Sequence, residues 1–325
     1  MVTVNLPHAC DAAVTAVLWH ARPMLLFYAD HFVLPLPPGH RFPMDKYRRL
    51  RERLLASGEF AAADFREPPA ASDEQLMRAH DAAYIARVAA GELSAAEQRR
   101  IGFPWTPAMV ERSRRSAGAT IEAARSALRG GRVGVNLAGG THHAYRDFGS
   151  GFCVFNDSAV AARAMQAEEG VGQVAIIDCD VHQGDGTAAI LAGDASIFTF
   201  SMHGAKNFPA HKQISDLDTE LPDDCDDKAY LDALQRGLDE VFRRVRPELV
   251  HYLAGADPFA GDRLGRLAVS KAGLLARDRL VLQCCQAEGI PVSVAMAGGY
   301  ADDIDDIVDI HVATVRTAAA FARDG

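Results

Sequence analysis

Asp178, Asp180, His182 and Asp185 crowd into one short segment, Asp-Cys-Asp-Val-His-Gln-Gly-Asp, directly after the apolar residues 174–177. Those apolar residues read as a buried strand, so the carboxylates that follow would repel one another in a place poor in water, and a cation must compensate them. A carboxylate and an imidazole spaced i, i+2 point to the same side of an extended chain, which makes Asp180 and His182 candidate metal ligands. The competing reading is a solvated acidic loop with a satisfied histidine; the buried strand pattern just before it argues against that. Asp257, in Ala-Gly-Ala-Asp-Pro-Phe-Ala-Gly-Asp, follows another apolar run and could complete the set. Three protein ligands leave a coordination position for water, as in catalytic zinc sites. Taken alone, an Asp before Pro is ordinary turn chemistry.

His142 and His143 are consecutive and follow Gly139 and Gly140. Packing seldom needs a tandem pair at a strand end, and Asp178 and Asp185 supply carboxylates that orient and tune imidazoles, so at least one of the two is expected to move protons. Tyr300, after Gly298 and Gly299, is either a rim aromatic or a phenol that donates to a developing oxyanion beside the metal.

The elements that must carry these residues are short apolar runs rich in β-branched residues at 24–28, 133–137, 174–177, 197–200, 249–253 and 292–296. Long Ala-rich segments of helical period separate them, with helices expected at 44–57, 108–128, 156–169, 227–245 and 270–288. That alternation predicts an open, mostly parallel α/β sheet flanked by helices. The polar clusters follow the runs at 133–137, 174–177, 249–253 and 292–296, and ligands bind beyond the carboxyl ends of such strands. One sheet edge therefore collects all of them.

The chain has 325 residues, 49% hydrophobic and 24% charged, which excludes a disordered or fibrous protein. Lys and Arg total 34 against 43 Asp and Glu, a net charge of −9 that disfavours direct nucleic-acid binding. No internal repeat or linker divides the sequence, so a single domain over residues 24–325 is expected, with residues 1–23 as an appendage outside the core fold. That N-terminal stretch has no basic segment before its apolar run, unlike a secretion signal. No stretch suits a transmembrane helix. The six cysteines show no C-x-x-C pair, which fits a reducing cytoplasm better than a disulfide framework.

Five motifs in order resemble the zinc-dependent histone deacetylase family: Gly-Gly-Thr-His142-His143, Gly151-Phe152-Cys153-Val-Phe-Asn156-Asp157, Asp178-Cys-Asp180-Val-His182-Gln-Gly-Asp185-Gly-Thr, Gly-Ala-Asp257-Pro-Phe-Ala-Gly-Asp262-Arg-Leu264-Gly and Gly298-Gly299-Tyr300. The likeness is strongest to bacterial members and the class IV branch, where His-Gln-Gly replaces His-His-Gly. The resemblance implies an arginase/deacetylase-like fold in which Asp180, His182 and Asp257 bind Zn²⁺. It makes His142 and His143 the paired histidines, supported by Asp178 and Asp185 respectively, and sets Tyr300 against the scissile carbonyl. Phe152 and Phe208 would wall the acyl channel, Gly151 would offer its carbonyl to the substrate amide, and Arg41 would be the internal-channel arginine. A potassium ion would use Asp178, Asp180, His182, Ser201 and Met202. Thr141 and Ala297 depart from the family pattern, which bears on loop conformation rather than on reacting groups.

The implied reaction is hydrolysis of an acylated lysine side chain, in a protein, a peptide or a small acyl-amine. Leu264 occupies the rim position where some polyamine deacetylases carry an acidic gatekeeper, so acetylpolyamine hydrolysis stands as the alternative. Arginase-type guanidine hydrolysis would need a second ligand set, which Gly-Ala-Asp257-Pro does not offer, and it would leave Tyr300 idle. A catalytically silent acyl-lysine binder is the rival of another class. The oligomeric state is not written in these motifs.

Overall fold

The computed structural model describes residues 24–323. The expected appendage at 1–23 lies outside the described residues. Eight strands form one sheet, every neighbouring pair parallel: β1 (Leu26–Phe27), β2 (Phe65–Arg66), β3 (Val133–Asn136), β4 (Val174–Asp178), β5 (Ile197–Gly204), β6 (Leu217–Leu221), β7 (Leu249–Leu253) and β8 (Val292–Ala295). Their order is β2-β1-β3-β8-β7-β4-β5-β6. All residues of β3, β4, β5, β7 and β8 are buried, because helices cover both faces and leave no side of these strands for water.

Ten α-helices were located among the described residues: α1 (Lys46–Ala56), α2 (Asp73–Met77), α3 (Ala82–Ala90), α4 (Ala95–Ile101), α5 (Pro107–Ser126), α6 (Asp157–Glu169), α7 (Asp185–Leu191), α8 (Asp227–Arg244), α9 (Lys271–Ala287) and α10 (Ile304–Arg323). Helices α1, α8, α9 and α10 bury Leu50, Leu54, Leu234, Leu238, Leu274, Val281, Ile307 and Val315 against one face of the sheet. Helices α2 to α7 bury Leu76, Tyr84, Ile101, Ile121, Val160 and Leu191 on the other. The strands serve both layers by alternation: Ala175 and Ile177 join the first core, Val174 and Ile176 the second.

The expected helices at 156–169 and 270–288 begin one residue later than read, because Asn156 and Ser270 are caps whose side chains accept the amides of Ala159 and Gly273. The run at 24–28 pairs over only Leu26–Phe27. Strand β6 was not expected: it is an edge strand, and Leu-Asp-Thr-Glu-Leu is mostly half-exposed, so no apolar run marks it. Among the described residues no helix is long and apolar enough to cross a membrane.

Candidate active site

The four clusters come together because β3, β8, β7 and β4 are consecutive in the sheet. Each leaves the sheet at its carboxyl end with a functional segment. The His142-His143 turn after β3 is held from α6: the Asp157 carboxylate accepts the amides of Gly140 at 2.9 Å and Thr141 at 2.7 Å, and Asn156 Nδ2 donates to the carbonyls of His142 at 3.3 Å and Ala144 at 3.1 Å. Thr141 fits this turn, its hydroxyl accepting the Asp157 amide at 3.1 Å. Ala297 adopts a left-handed φ of 53°, and the facing Gly140 leaves room for it, since a Cβ there would stand 2.3 Å from the Ala297 methyl.

Asp180, His182 and Asp257 converge as the sequence predicts. Their donor atoms lie within 4.8 Å of one another, all buried. His182 Nδ1 stands 3.0 Å from Asp180 Oδ1 and 3.3 Å from Asp257 Oδ2. Backbone amides occupy the other carboxylate oxygens: Gly298 N–H donates to Asp180 Oδ2 at 2.8 Å and Val181 N–H to Asp257 Oδ1 at 2.9 Å. Asp180 Oδ1 accepts the His182 amide as well, at 3.0 Å, so the chain fixes both Asp180 oxygens and one of Asp257, while Asp257 Oδ2 has no hydrogen-bond partner among the described residues. Burial and the neighbouring Asp180 charge push the Asp257 carboxyl up to about 7. Burial opposes charge on His182, yet the two carboxylates outweigh it and raise the imidazole to about 10. Buried oxygens and an imidazole nitrogen that demand positive charge fit a divalent, zinc-like cation. The residues expected to hold potassium gain no such support: Asp178 accepts from His142 and from the Asp180 amide, and the Ser201 hydroxyl is 3.0 Å from His203 Nδ1.

The histidines pair as expected, His142 Nδ1 with Asp178 and His143 Nδ1 with Asp185, both at 2.6 Å. Their environments then diverge. Burial works against charge on His142, but Asp178 and Asp180 overcome it and raise its pKa to about 9. Burial, reinforced by the positive His142, drives His143 down to about 4. The Tyr145 hydroxyl donates to the second oxygen of Asp185 at 3.0 Å. Burial, then the Asp180 and Asp257 charges, hold the Tyr300 phenol well above its ordinary pKa, so it remains an O–H donor.

A cavity of about 630 Å³ opens onto His143, His182 and Tyr300, with Gly151, Phe152, Phe208 and Leu264 in its walls. Phe208 sets its ring edge-on to His143 at 4.8 Å, and Phe152 leans on Phe42 and Phe103. Gly151 must be glycine: its φ is +52°, and a Cβ would stand 2.6 Å from His143 Cδ2. Its carbonyl accepts the Cys153 thiol at 3.3 Å.

Arg41 is not inside. It is exposed at the mouth, its guanidinium 5.4 Å from the Phe152 ring, because its segment runs over the surface before α1 begins. The buried cation behind Tyr300 is Lys46, which donates to the carbonyls of Ala297 at 3.2 Å and Gly299 at 3.3 Å. A signal was available: Lys46 falls on the i, i+4 stripe of Leu50 and Leu54, the buried face of α1. Gln183, in the sequence only the middle of the His-Gln-Gly motif, is a brace in the structure. Its amide NH₂ donates to Gln213 O at 2.8 Å and Asp218 Oδ1 at 3.0 Å, and its N–H donates to Phe208 O at 3.3 Å.

The histone deacetylase domain matches residues 40–315. The chain is 44% identical over 291 residues to an uncharacterised protein of Picosynechococcus sp., covering 90% of this chain and 97% of the relative. It is 32% identical over 306 residues to the histone deacetylase-like amidohydrolase of Pseudomonas aeruginosa, covering 88% and 80%. Among solved structures, an HDAC homolog from Aquifex aeolicus superposes with a TM-score of 0.78 at 21% identity over 91% of this chain and 84% of that one. An acetylpolyamine aminohydrolase from Burkholderia pseudomallei superposes with a TM-score of 0.73 at 20% identity over 92% and 99%, a likeness of fold. With the domain matched across all four site-bearing strand ends, the chain belongs to the histone deacetylase family.

Proposed function

We propose that this protein is a zinc-dependent amidohydrolase that removes an acyl group from an acylated lysine side chain, giving a carboxylate and a free amine. One arrangement carries the reading: the Asp180, His182 and Asp257 donors converge at a cavity that also receives His143 and Tyr300. Zn²⁺ held by those three residues would polarise the amide carbonyl and acidify water. The Nδ1–H of His143 is committed to Asp185, which leaves Nε2 to take the proton of the attacking water and later give it to the leaving amine nitrogen as the C–N bond breaks. His142, held by Asp178, contributes positive charge beside the reacting centre. The Tyr300 hydroxyl donates to the carbonyl oxygen as negative charge develops on it.

Phe152, Phe208 and Leu264 form an apolar sleeve suited to the methylene stem of an acylated lysine. Acetylpolyamines are the weaker alternative, because a second ammonium finds no acidic residue at Leu264. Asp262 does not replace it: its oxygens accept the amides of Leu264 at 2.8 Å, Gly265 at 2.9 Å and Tyr300 at 2.5 Å. A reducing, cytoplasmic setting is consistent with the free cysteines among the described residues.

The test measures zinc content and turnover of an acetyl-lysine peptide, a long-chain acyl-lysine peptide and acetylspermidine. One zinc per chain with preferential hydrolysis of acyl-lysine supports the reading. Preference for acetylspermidine favours the alternative, and a zinc-loaded protein that binds acyl-lysine without turnover is the silent binder.

A further inference from the structure

We infer that the mouth of this cavity binds an anionic group carried on the amine side of the substrate, as acidic residues flanking an acylated lysine would supply. The inference rests on the acyl-lysine reading for which end of the substrate lies outermost. Arg41, Arg99, Arg100, Lys206, Arg263 and Arg266 all line the cavity, and no Glu or Asp does so among the described residues. All six are exposed, in a chain whose net charge is −9. Chance placement from 34 basic and 43 acidic residues would mix carboxylates among them.

The cations come from four separate segments: the stretch before α1, the last turn of α4, the segment after β5 and the segment after β7. The carbonyl end of α4 accounts for Arg99 and Arg100. It does not account for the other four. Lys206 and Arg266 share Asp223 at 3.3 Å each, and Arg263 stands 3.3 Å from the exposed Asp302. Arg41, Arg99 and Arg100 have no ion pair with any described residue, although arginines elsewhere find carboxylates, as Arg51 does with Asp30 and Arg125 with Glu169. Two of the unpaired guanidiniums are steadied by aromatic faces, Arg41 by Phe152 at 5.4 Å and Arg100 by Phe148 at 4.6 Å. Such a ring raises the local concentration of anions, an effect that salt weakens.

Depth decides which end of the substrate carries the anion. Beneath the floor of His143, His182 and Tyr300 lie the buried carboxylates Asp178, Asp180 and Asp257, which oppose a further negative charge at the acyl end. The cations stand outside, where the amine side of the substrate remains. Acidic side chains of a polypeptide and the α-carboxylate of free Nε-acetyl-lysine present the same chemistry there, and separate arms of one experiment distinguish them.

The zinc-loaded protein is assayed on end-capped acetyl-lysine peptides flanked by Asp, Ala or Lys, and on free Nε-acetyl-lysine against its C-terminal amide. At low salt the expected order of kcat/KM is Asp above Ala above Lys, with about tenfold between the extremes, shrinking at about 0.5 M salt. A preference for free acetyl-lysine over its amide without flank dependence assigns the ring to the amino acid's own carboxylate. The double change Arg99→Gln, Arg100→Gln should reduce the Asp-to-Lys ratio several-fold. Equal kcat/KM across both series, or preference for Lys flanks, overturns the inference. Fluorescence anisotropy with labelled forms of the same peptides reads affinity without turnover. Tighter binding of the Asp peptide with no hydrolysis of any peptide refutes the proposed reaction and keeps the anionic mouth; uniform hydrolysis with equal affinities does the reverse.

Discussion

Three variants separate the roles of neighbouring groups at the floor of the cavity. Asp257→Ala removes an oxygen ligand and leaves Asp180 and His182 poorly matched, so zinc content and activity should both collapse. Gly298→Ala removes no ligand, yet its Cβ would lie 1.9 Å from Asp257 Oδ2 and 2.5 Å from Asp180 Oδ2. Metal analysis should show a loss comparable to that of Asp257→Ala; full occupancy in either variant would refute this ligand set. Tyr300→Phe deletes only a hydroxyl, so zinc and melting temperature should hold while kcat falls by about 10²–10³, the scale of one oxyanion donor. Unchanged turnover would make Tyr300 a wall of the cavity. The convergence of Asp180 and His182 with Asp257 was legible because carboxylate and imidazole at i, i+2 after a buried strand have few other uses. Lys46 was not, because a buried cation that donates to the carbonyls of Ala297 and Gly299 satisfies itself with backbone and has no acidic partner to advertise it.

The same contrast holds for elements. Strands β3, β4, β5, β7 and β8 were legible because burial on both faces forces continuous apolar runs, and their helices because caps and period agree. Helix α10 and the short helices α2 to α4 and α7 carry no expectation from the sequence, although α10 buries Ile307, Val308, Ile310, Val312 and Val315. Loops were legible least, because their shape depends on contacts across the chain. The segment carrying Phe208 is fastened by Gln183, which donates to Gln213 O and Asp218 Oδ1 and accepts the Gln213 amide at 2.8 Å. Removing that side chain leaves polar groups of the loop unpaired, at about 1–3 kcal/mol for those that stay buried. Gln183→Ala should therefore loosen Phe208 and raise KM for acyl-lysine peptides several-fold, with kcat within about twofold because His143 keeps its bond to Asp185. A variant with unchanged KM would show that the loop holds Phe208 without this brace.

Across the whole molecule, histidines buried away from the reacting centre set its response to acid. His251, inside β7, is 0% exposed, neither ring nitrogen has a partner among the described residues, and burial alone lowers its pKa to about 3. Burial takes His80 to about 4 even though its Nδ1 lies 2.9 Å from Tyr145 O, and its Nε2 accepts the Asn156 amide at 2.9 Å, a bond that only the unprotonated nitrogen can make. His203 is likewise depressed by burial to about 4. For each, the unfolded chain takes up a proton near pH 6.5 that the folded ring refuses, so their stabilisation is complete above about pH 6.5 and drains away as the pH falls toward 4. His142 has the opposite sign: its pKa is raised to about 9, so its contribution is already complete below about pH 6.5 and does not change across that window. The paired Glu97, held at about 2 first by bonds from Ser94, loses its contribution only below about pH 4.5. Between pH 6.5 and 5 the falling slope therefore belongs chiefly to the buried neutral imidazoles, at up to about 1.4 kcal/mol per pH unit for each. The Asp257 carboxyl, raised to about 7, works the other way in protein without a bound cation, so the measurement uses the zinc-loaded form. Urea midpoints taken from pH 7.5 to 5 should fall steadily below about 6.5. His251→Leu places an apolar side chain in an apolar layer and deletes one titrating group, so its curve should be flatter by about one proton. A variant curve parallel to the parent's over that range would mean that His251 takes no part in the acid sensitivity of this fold.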